Sequence, residues 1–251
     1  MQQLFSRNKK GITGKFMSLK AVLFDLDGTL LPMDQDVFVK AYFKELAAKL
    51  APLGYDPEGL IKSIWNGTGA MVKNDGTRKN EEVFWEAFRA IYGEKVMKDL
   101  PYFDDFYQNE FQKAQSACGF NAMAAEVVHK LQKKGIRVVL ATNPIFPAVA
   151  TESRIRWAGL TPEDFELYTT YETIGFCKPN PEYYREILRQ MDVKPEECLM
   201  VGNDVTEDMV AETIGMDVFL LTDCLINKEE KDISQYKQGD FAKLAEFLGL
   251  E

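Results

Sequence analysis

A chain of 251 residues with 46% hydrophobic and 27% charged side chains has the balance of an ordinary soluble globular protein. It is long enough for one large domain, or for a core domain that carries an inserted smaller one. Its formal net charge of −9 disfavours a nucleic-acid partner, and no run approaches the ~18 apolar residues that cross a bilayer. With His129 as its single histidine, the chain cannot build a multi-histidine zinc site, and a Ser-His-Asp or Cys-His site would rest on that one residue. His129 itself falls in an amphipathic pattern, NAMAAEVVHKLQKKG, and reads as a solvated or half-buried helix residue. Cys118, Cys177, Cys198 and Cys224 are widely spaced and form no CxxC pair, the usage of small buried hydrophobes in a reducing cytoplasm.

The opening MQQLFSRNKKGITGKFMSLK is basic without an apolar stretch, so it is not a secretory signal. Residues 1–16 read as a disordered leader, with Met17 as an alternative start. Gly11-Ile12-Thr13-Gly14-Lys15 only imitates a P-loop. The spacing is too short, Phe16 replaces the required Ser or Thr, and no buried strand precedes it. Ala21–Phe24 is the first of four short apolar runs, followed by Val138–Ala141, Cys198–Val201 and Val218–Leu221. Each is too short for a helix and rich in branched residues, the pattern of strands buried on both faces of a parallel sheet.

Between the first and second runs the chain is helical, over Asp36–Leu50, Pro57–Trp65, Glu81–Tyr92 and Tyr102–Ala117, with apolar residues at helical spacing. WNGTGAMVKNDGTRKN, inside this interval, reads as a Gly-rich polar loop. The interval is either a bundle packing its own core or a mobile cap, residues 34–116, whose loop reaches over a site on a core of 17–33 and 117–251. Further helices run from Asn121, an N-cap, to Gly135, and follow Asn143, Asn180 and Asp204. Strand and helix alternate as in an α/β fold with a doubly wound, Rossmann-like parallel sheet.

Open sheets of this kind bind ligands at the carboxyl ends of their strands. Here those ends carry Asp25, then Thr142 and Asn143, then Asp204. Asp25 and Asp27 in DLDGT lie two apart, so an extended backbone points both carboxylates the same way, and Gly28 allows a sharp turn and close approach by a ligand. One carboxylate can attack phosphorus while its neighbour handles the proton, although Asp and Gly are also ordinary turn formers. Thr142-Asn143 offers a hydroxyl donor or a plain N-cap. Lys178, between Cys177 and Pro179, is a held cation or an exposed loop lysine. Gly202-Asn203-Asp204-Val205-Thr206-Glu207-Asp208 offers oxygens suited to Mg²⁺, or merely acids near a helix N-terminus.

In order and placement these segments resemble the four motifs of the haloacid-dehalogenase superfamily, in its phosphatase branch. DLDGTL at 25–30 matches the first motif, Thr142 the second, Lys178 the third, and Asp204 with Asp208 the fourth, while 34–116 matches only the size and helical character of an inserted cap. One departure is Asn203, which stands where Gly or Glu is usual; its amide oxygen is an alternative metal ligand to Asp204, which is favoured because it is charged.

The resemblance implies that Asp25 is the nucleophile and that Asp27 protonates the leaving oxygen and later deprotonates water. It further implies that Thr142, Asn143 and Lys178 bind the phosphoryl group. Mg²⁺ is expected on Asp25, the Asp27 carbonyl and Asp204, with Asp208 as ligand or support. Asp27 is absent from the dehalogenases, which favours phosphate esters of small metabolites. A phosphotransferase of the β-phosphoglucomutase kind and a non-catalytic binder on the same fold are the alternatives. Trp65, Thr68, Lys73 and Asn74 either select the leaving group from the cap or serve core packing and loop solvation.

Overall fold

The structure, a computed structural model, describes residues 19–250; the expected leader and the alternative start at Met17 lie outside them. Its sheet has six strands, all parallel: β1 (Ala21–Phe24), β2 (Arg137–Leu140), β3 (Leu167–Tyr168), β4 (Cys198–Gly202), β5 (Asp217–Leu221) and β6 (Lys237–Gly239), in the order β3-β2-β1-β4-β5-β6. The four apolar runs are the four inner strands. Their side chains alternate between two separate cores. Val22, Phe24, Val138, Leu140, Leu199 and Val201 join one cluster, and Ala21, Leu23, Val139, Ala141, Cys198 and Met200 join the other. Burial on both faces is why these segments are continuously apolar rather than alternating. The short β3 and β6 carry the sheet's outer edges and have no such signature.

Helices cover both faces. α5 (Ala122–Lys133), α6 (Ala148–Trp157) and α8 (Phe241–Leu248) contribute to the first cluster, and α7 (Pro181–Met191) to the second. Two of the expected caps are formed: Asn121 accepts the Met123 amide and Asn180 the Glu182 amide. The helix expected after Asn143 begins only at Ala148, and the one expected after Asp204 is a 3₁₀ segment, Met209–Ile214.

The long interval after β1 holds α1 (Gln35–Leu50), α2 (Pro57–Val72), α3 (Asn80–Tyr92) and α4 (Lys95–Gln108), then a 3₁₀ segment, Glu110–Ala117. Asp34 and Asp56 cap the first two helices through their side chains. The expected Gly-rich loop is a correction. α2 continues through Trp65 to Val72, leaving only residues 73–79 as loop. Gly67 serves packing, because a Cβ there would lie 2.6 Å from the Phe84 ring of α3. That loop lies on the segment before Lys178: a Cβ on Gly76 would meet the Phe176 ring at 2.1 Å, and Lys79 donates to the Thr173 carbonyl. The first cluster runs without a break from the sheet into α1–α4 through Phe38, Tyr42, Phe106 and Phe111. Among the described residues, no helix is long and apolar enough to cross a membrane.

Candidate active site

Asp25 follows the central strand directly. Its amide donates to Val201 O at 2.9 Å, while Ala141 N donates to Phe24 O at 2.7 Å, so the residue is registered to the ends of β2 and β4 together. The chain then turns tightly, with Leu31 N bonding back to Leu26 O at 2.9 Å. Gly28 has φ +88° and lies so close to Asn203 that a Cβ would stand 2.3 Å from its amide nitrogen. No other residue fits that conformation and that gap.

Lys178 is 2% exposed. Its Nζ donates to Asp25 Oδ1 at 2.8 Å and to Asp208 Oδ1 at 2.6 Å. Burial by itself would lower its pKa, but the Asp208 and Asp25 carboxylates override this and hold it well above the ordinary lysine value. The second oxygen of Asp208 accepts the Asp204 amide at 2.9 Å. Gly202 makes room for it, since a Cβ there would be 2.1 Å from Asp208 Oδ2. Both oxygens of Asp208 thus meet protein donors, which ties it to Lys178 and to the Asp204 backbone at the cavity wall.

Asp27 is paired through Oδ2 with the guanidinium of Arg154, while its Oδ1 is buried without a partner. Burial raises the Asp27 pKa; Arg154 opposes that and Asp25 adds to it. Arg154 is fully buried on α6, bonded to the Ala150 carbonyl at 3.3 Å and stacked 4.4 Å above the Phe146 ring. Sequence reasoning missed it. In TESRIRWAG it looks like any helix arginine, and only the fold brings it under Asp27.

Thr142 is 2% exposed, with its carbonyl fixed by Thr169 Oγ1 at 2.6 Å and Tyr183 OH at 2.8 Å. Asn143 accepts the Lys178 amide at 3.3 Å and donates to Glu207 at 3.1 Å, so it ties the second, third and fourth motifs to one another. Asn203 accepts from Thr29 at 2.9 Å and donates to the Cys224 carbonyl at 2.7 Å. Asp204 receives the Thr206 and Glu207 amides on Oδ1 alone. Of the two alternative ligands, Asn203 is therefore the one occupied as a brace.

Asp25, Asp27, Thr142, Asn143, Asp204 and Asp208 all line one cavity of about 280 Å³. Glu207 lines it too; burial lifts its carboxyl to about 7 against the pull of Lys178. Among the described residues, no three Asp, Glu, His or Cys side chains form a ready metal cluster. The set expected to hold a metal uses the Asp27 carbonyl rather than its side chain, so the ion pair of Asp27 with Arg154 leaves that set open, while Lys178 lies between Asp25 and Asp208. The cavity nonetheless has five carboxyl groups against three cations, the buried Lys178 and Arg154 and the lining Lys228, a surplus suited to a divalent ion. Elsewhere, His129 lies 3.2 Å from Asp164 on the surface, and Asn74 bonds Arg78 O and Asn80 as part of its own loop.

The family model described as haloacid dehalogenase-like hydrolase matches residues 19–211. Pyrophosphatase PpaX of Bacillus cereus (strain ATCC 10987 / NRS 248) is 25% identical over 190 residues, 75% of this chain and 76% of that protein. A HAD phosphatase from Thermococcus onnurineus superposes with a TM-score of 0.57 at 18% identity, covering 93% of this chain and 99% of the other. CbbY from Rhodobacter sphaeroides, in complex with phosphate, gives 0.57 at 18% identity over 92% and 100%. At such identities the two structures establish the fold. The family match begins two residues before the central strand and runs through the acidic turn beyond β4, and on it the chain belongs to the haloacid dehalogenase-like hydrolases.

Proposed function

We propose that the protein hydrolyses a small phosphate monoester through an aspartyl-phosphate on Asp25. The observation that carries this reading is Asp25 at the end of the central strand, 2.8 Å from a buried lysine and in one cavity with Asp27. An Asp25 oxygen attacks phosphorus in line, and the bond from phosphorus to the ester oxygen breaks. Asp27 gives its proton to that oxygen. With Oδ2 held by Arg154, the proton resides on the unpartnered Oδ1, and burial favours this neutral form. The resulting carboxylate then takes a proton from water, whose oxygen displaces Asp25 and releases phosphate. Such proton transfer contributes about 10²–10⁴ in rate. Thr142 and Lys178 balance the charge that spreads over the phosphoryl oxygens.

The donor set fits Mg²⁺, which needs one or two carboxylates and keeps several waters. The Asp25 and Asp204 side chains and the Asp27 carbonyl would hold it, with Asp208 acting through Lys178. When bound, the ion screens the repulsion between an anionic nucleophile and an anionic substrate. We read residues 34–116 as the cap of this site. Gln35, Phe38 and Val39 of α1 and Trp65 of α2 form one wall of the catalytic cavity, which supports the reading.

The test is phosphate release from an aryl phosphate with and without Mg²⁺, beside Asp25→Asn. Activity that requires the ion and disappears in the variant, with an unchanged circular dichroism spectrum, is the expected result. Wild-type turnover by the variant would remove Asp25 as nucleophile. Release of inorganic phosphate also separates hydrolysis from transfer to a sugar hydroxyl.

A further inference from the structure

A second, smaller cavity lies where α1–α4 meet the loop after β2, and the phosphoryl chemistry does not use it. Its volume is about 70 Å³, and its walls are aromatic and aliphatic, with no charged side chain. Tyr42 and Tyr107, both on the wall, direct their hydroxyls at each other, 3.1 Å apart. The pocket adjoins the catalytic cavity, for Val39, Trp65, Ile145 and Phe146 line both. Trp65 at this junction is 52% exposed and packs edge-on to Phe43, ring centroids 5.6 Å apart. An indole left half in water between two cavities is placed to contact what passes between them. Thr68, one turn along α2, lines the inner pocket.

The chemistry of the walls restricts the occupant. The polar groups on this wall are few: the Thr68 and Tyr171 hydroxyls, the indole nitrogens, and the Tyr42 and Tyr107 hydroxyls that already pair with each other, so a polyhydroxylated or carboxylate group entering it loses more water hydrogen bonds than it regains. A short alkyl group loses only unfavourable hydration and gains dispersion contacts with the rings. At about 70 Å³ the pocket is a quarter the size of the 280 Å³ catalytic cavity, which suits a short side group rather than a second sugar-sized one. A second phosphoryl group would need cations, and the wall of the catalytic cavity offers Lys228 alone, with none beyond it.

Building on the phosphatase mechanism proposed above, we infer that the substrate is a phosphate ester of a short apolar alcohol. The phosphoryl group sits at Asp25, and the alkyl tail passes Trp65 into the aromatic pocket.

The experiment compares kcat/KM, with Mg²⁺, for isobutyl phosphate and glycerol phosphate, alcohols of similar size, with acetyl phosphate and pyrophosphate alongside. Isobutyl phosphate is expected to exceed glycerol phosphate by about tenfold or more, the discrimination available to an apolar pocket. Thr68→Phe, which fills the pocket from its wall, is expected to lower the isobutyl-to-acetyl phosphate ratio by a similar factor. Parity of the two alcohol esters, or a preference for glycerol phosphate or pyrophosphate, overturns the inference. That comparison uses the wild-type chain and so stands even where the variant misfolds. Absence of turnover on every ester, acetyl phosphate included, sinks instead the aspartyl-phosphate reading beneath it.

Discussion

Burial raises the pKa of Asp27 and Arg154 opposes it, so one buried guanidinium sets how readily that carboxyl changes its proton. On the mechanism proposed above, Asp27 has to be neutral to protonate the leaving oxygen and ionised to activate water. Removing the guanidinium leaves the raising influences in command, and the pKa climbs further. Arg154→Met should therefore move the acid limb of the kcat profile to higher pH. At neutral pH kcat should fall by about 10², the lower end of what a lost proton-transfer role costs. An acid limb that stays in place, measured by steady-state kinetics across pH, would show that Arg154 serves packing alone.

At the scale of the element, two glycines of α2 make opposite predictions. A Cβ at Gly69 would meet nothing within 4 Å, so Gly69→Ala gains helix propensity and should stabilise by about 0.5–1 kcal/mol. At Gly67 the same methyl strikes the Phe84 ring, and pushing α2 from α3 should outweigh that gain, for a net loss of about 1 kcal/mol. Urea midpoints of the two variants decide the matter, and equal shifts would refute the packing account. β2 and the segment entering β3 are joined by Arg137 and Glu166, whose two hydrogen bonds are 2.7 and 2.5 Å. Hydrogen bonding to Arg137 lowers the Glu166 pKa from its ordinary 4.5. The stability this pair contributes is therefore complete above that value and is lost as pH falls through the lowered one. Glu166 is exposed and the Arg137 side chain half-buried at the surface, so solvent screens the pair: Arg137→Ala should cost about 1 kcal/mol at neutral pH, and the part due to the ion pair should vanish in strong acid.

For the whole molecule, Asn80 is the point where the inserted helices and the catalytic loops are fastened. It is fully buried at the start of α3. Its amide nitrogen lies 3.2 Å from Pro144 O, 3.4 Å from Phe176 O and 3.2 Å from Cys177 Sγ, and its oxygen accepts from Asn74 at 2.9 Å. Pro144 follows Thr142 by two residues and Cys177 precedes Lys178. One side chain of α3 thus spans the second and third motifs. Asn80→Ala should cost about 2–4 kcal/mol through carbonyls left unpaired in the interior, and should lower kcat as Lys178 loses its fixed approach to Asp25. Burial pushes the Cys177 thiol up to about 12, so it should resist alkylation at mildly basic pH in the native chain and become labelled in the variant. Calorimetry with mass-spectrometric labelling checks both, and a Tm unchanged by the substitution would end the fastening argument.

The buried strands, the N-caps at Asn121 and Asn180, and the motif residues Asp25, Asp27, Thr142, Lys178, Asp204 and Asp208 were legible in the chain because each depends on local order. A strand covered on both faces has to be apolar throughout, and a carboxylate just past its end reaches the crevice whatever the loops do. Other features depend on which distant segments meet. Gly67 in a Gly-rich stretch reads as loop until Phe84 packs on it, and Arg154 reads as a surface helix residue until Asp27 lies over it. Likewise, nothing local in the chain shows that Lys178 bonds to Asp208 or that Asn143 bonds to Glu207. The sequence by itself determined the sheet, the order of its catalytic residues and the class of chemistry they suit. Only the tertiary structure decided which polar groups face the cavity and which brace it, because hydrogen-bond partners far apart in the chain are chosen by packing.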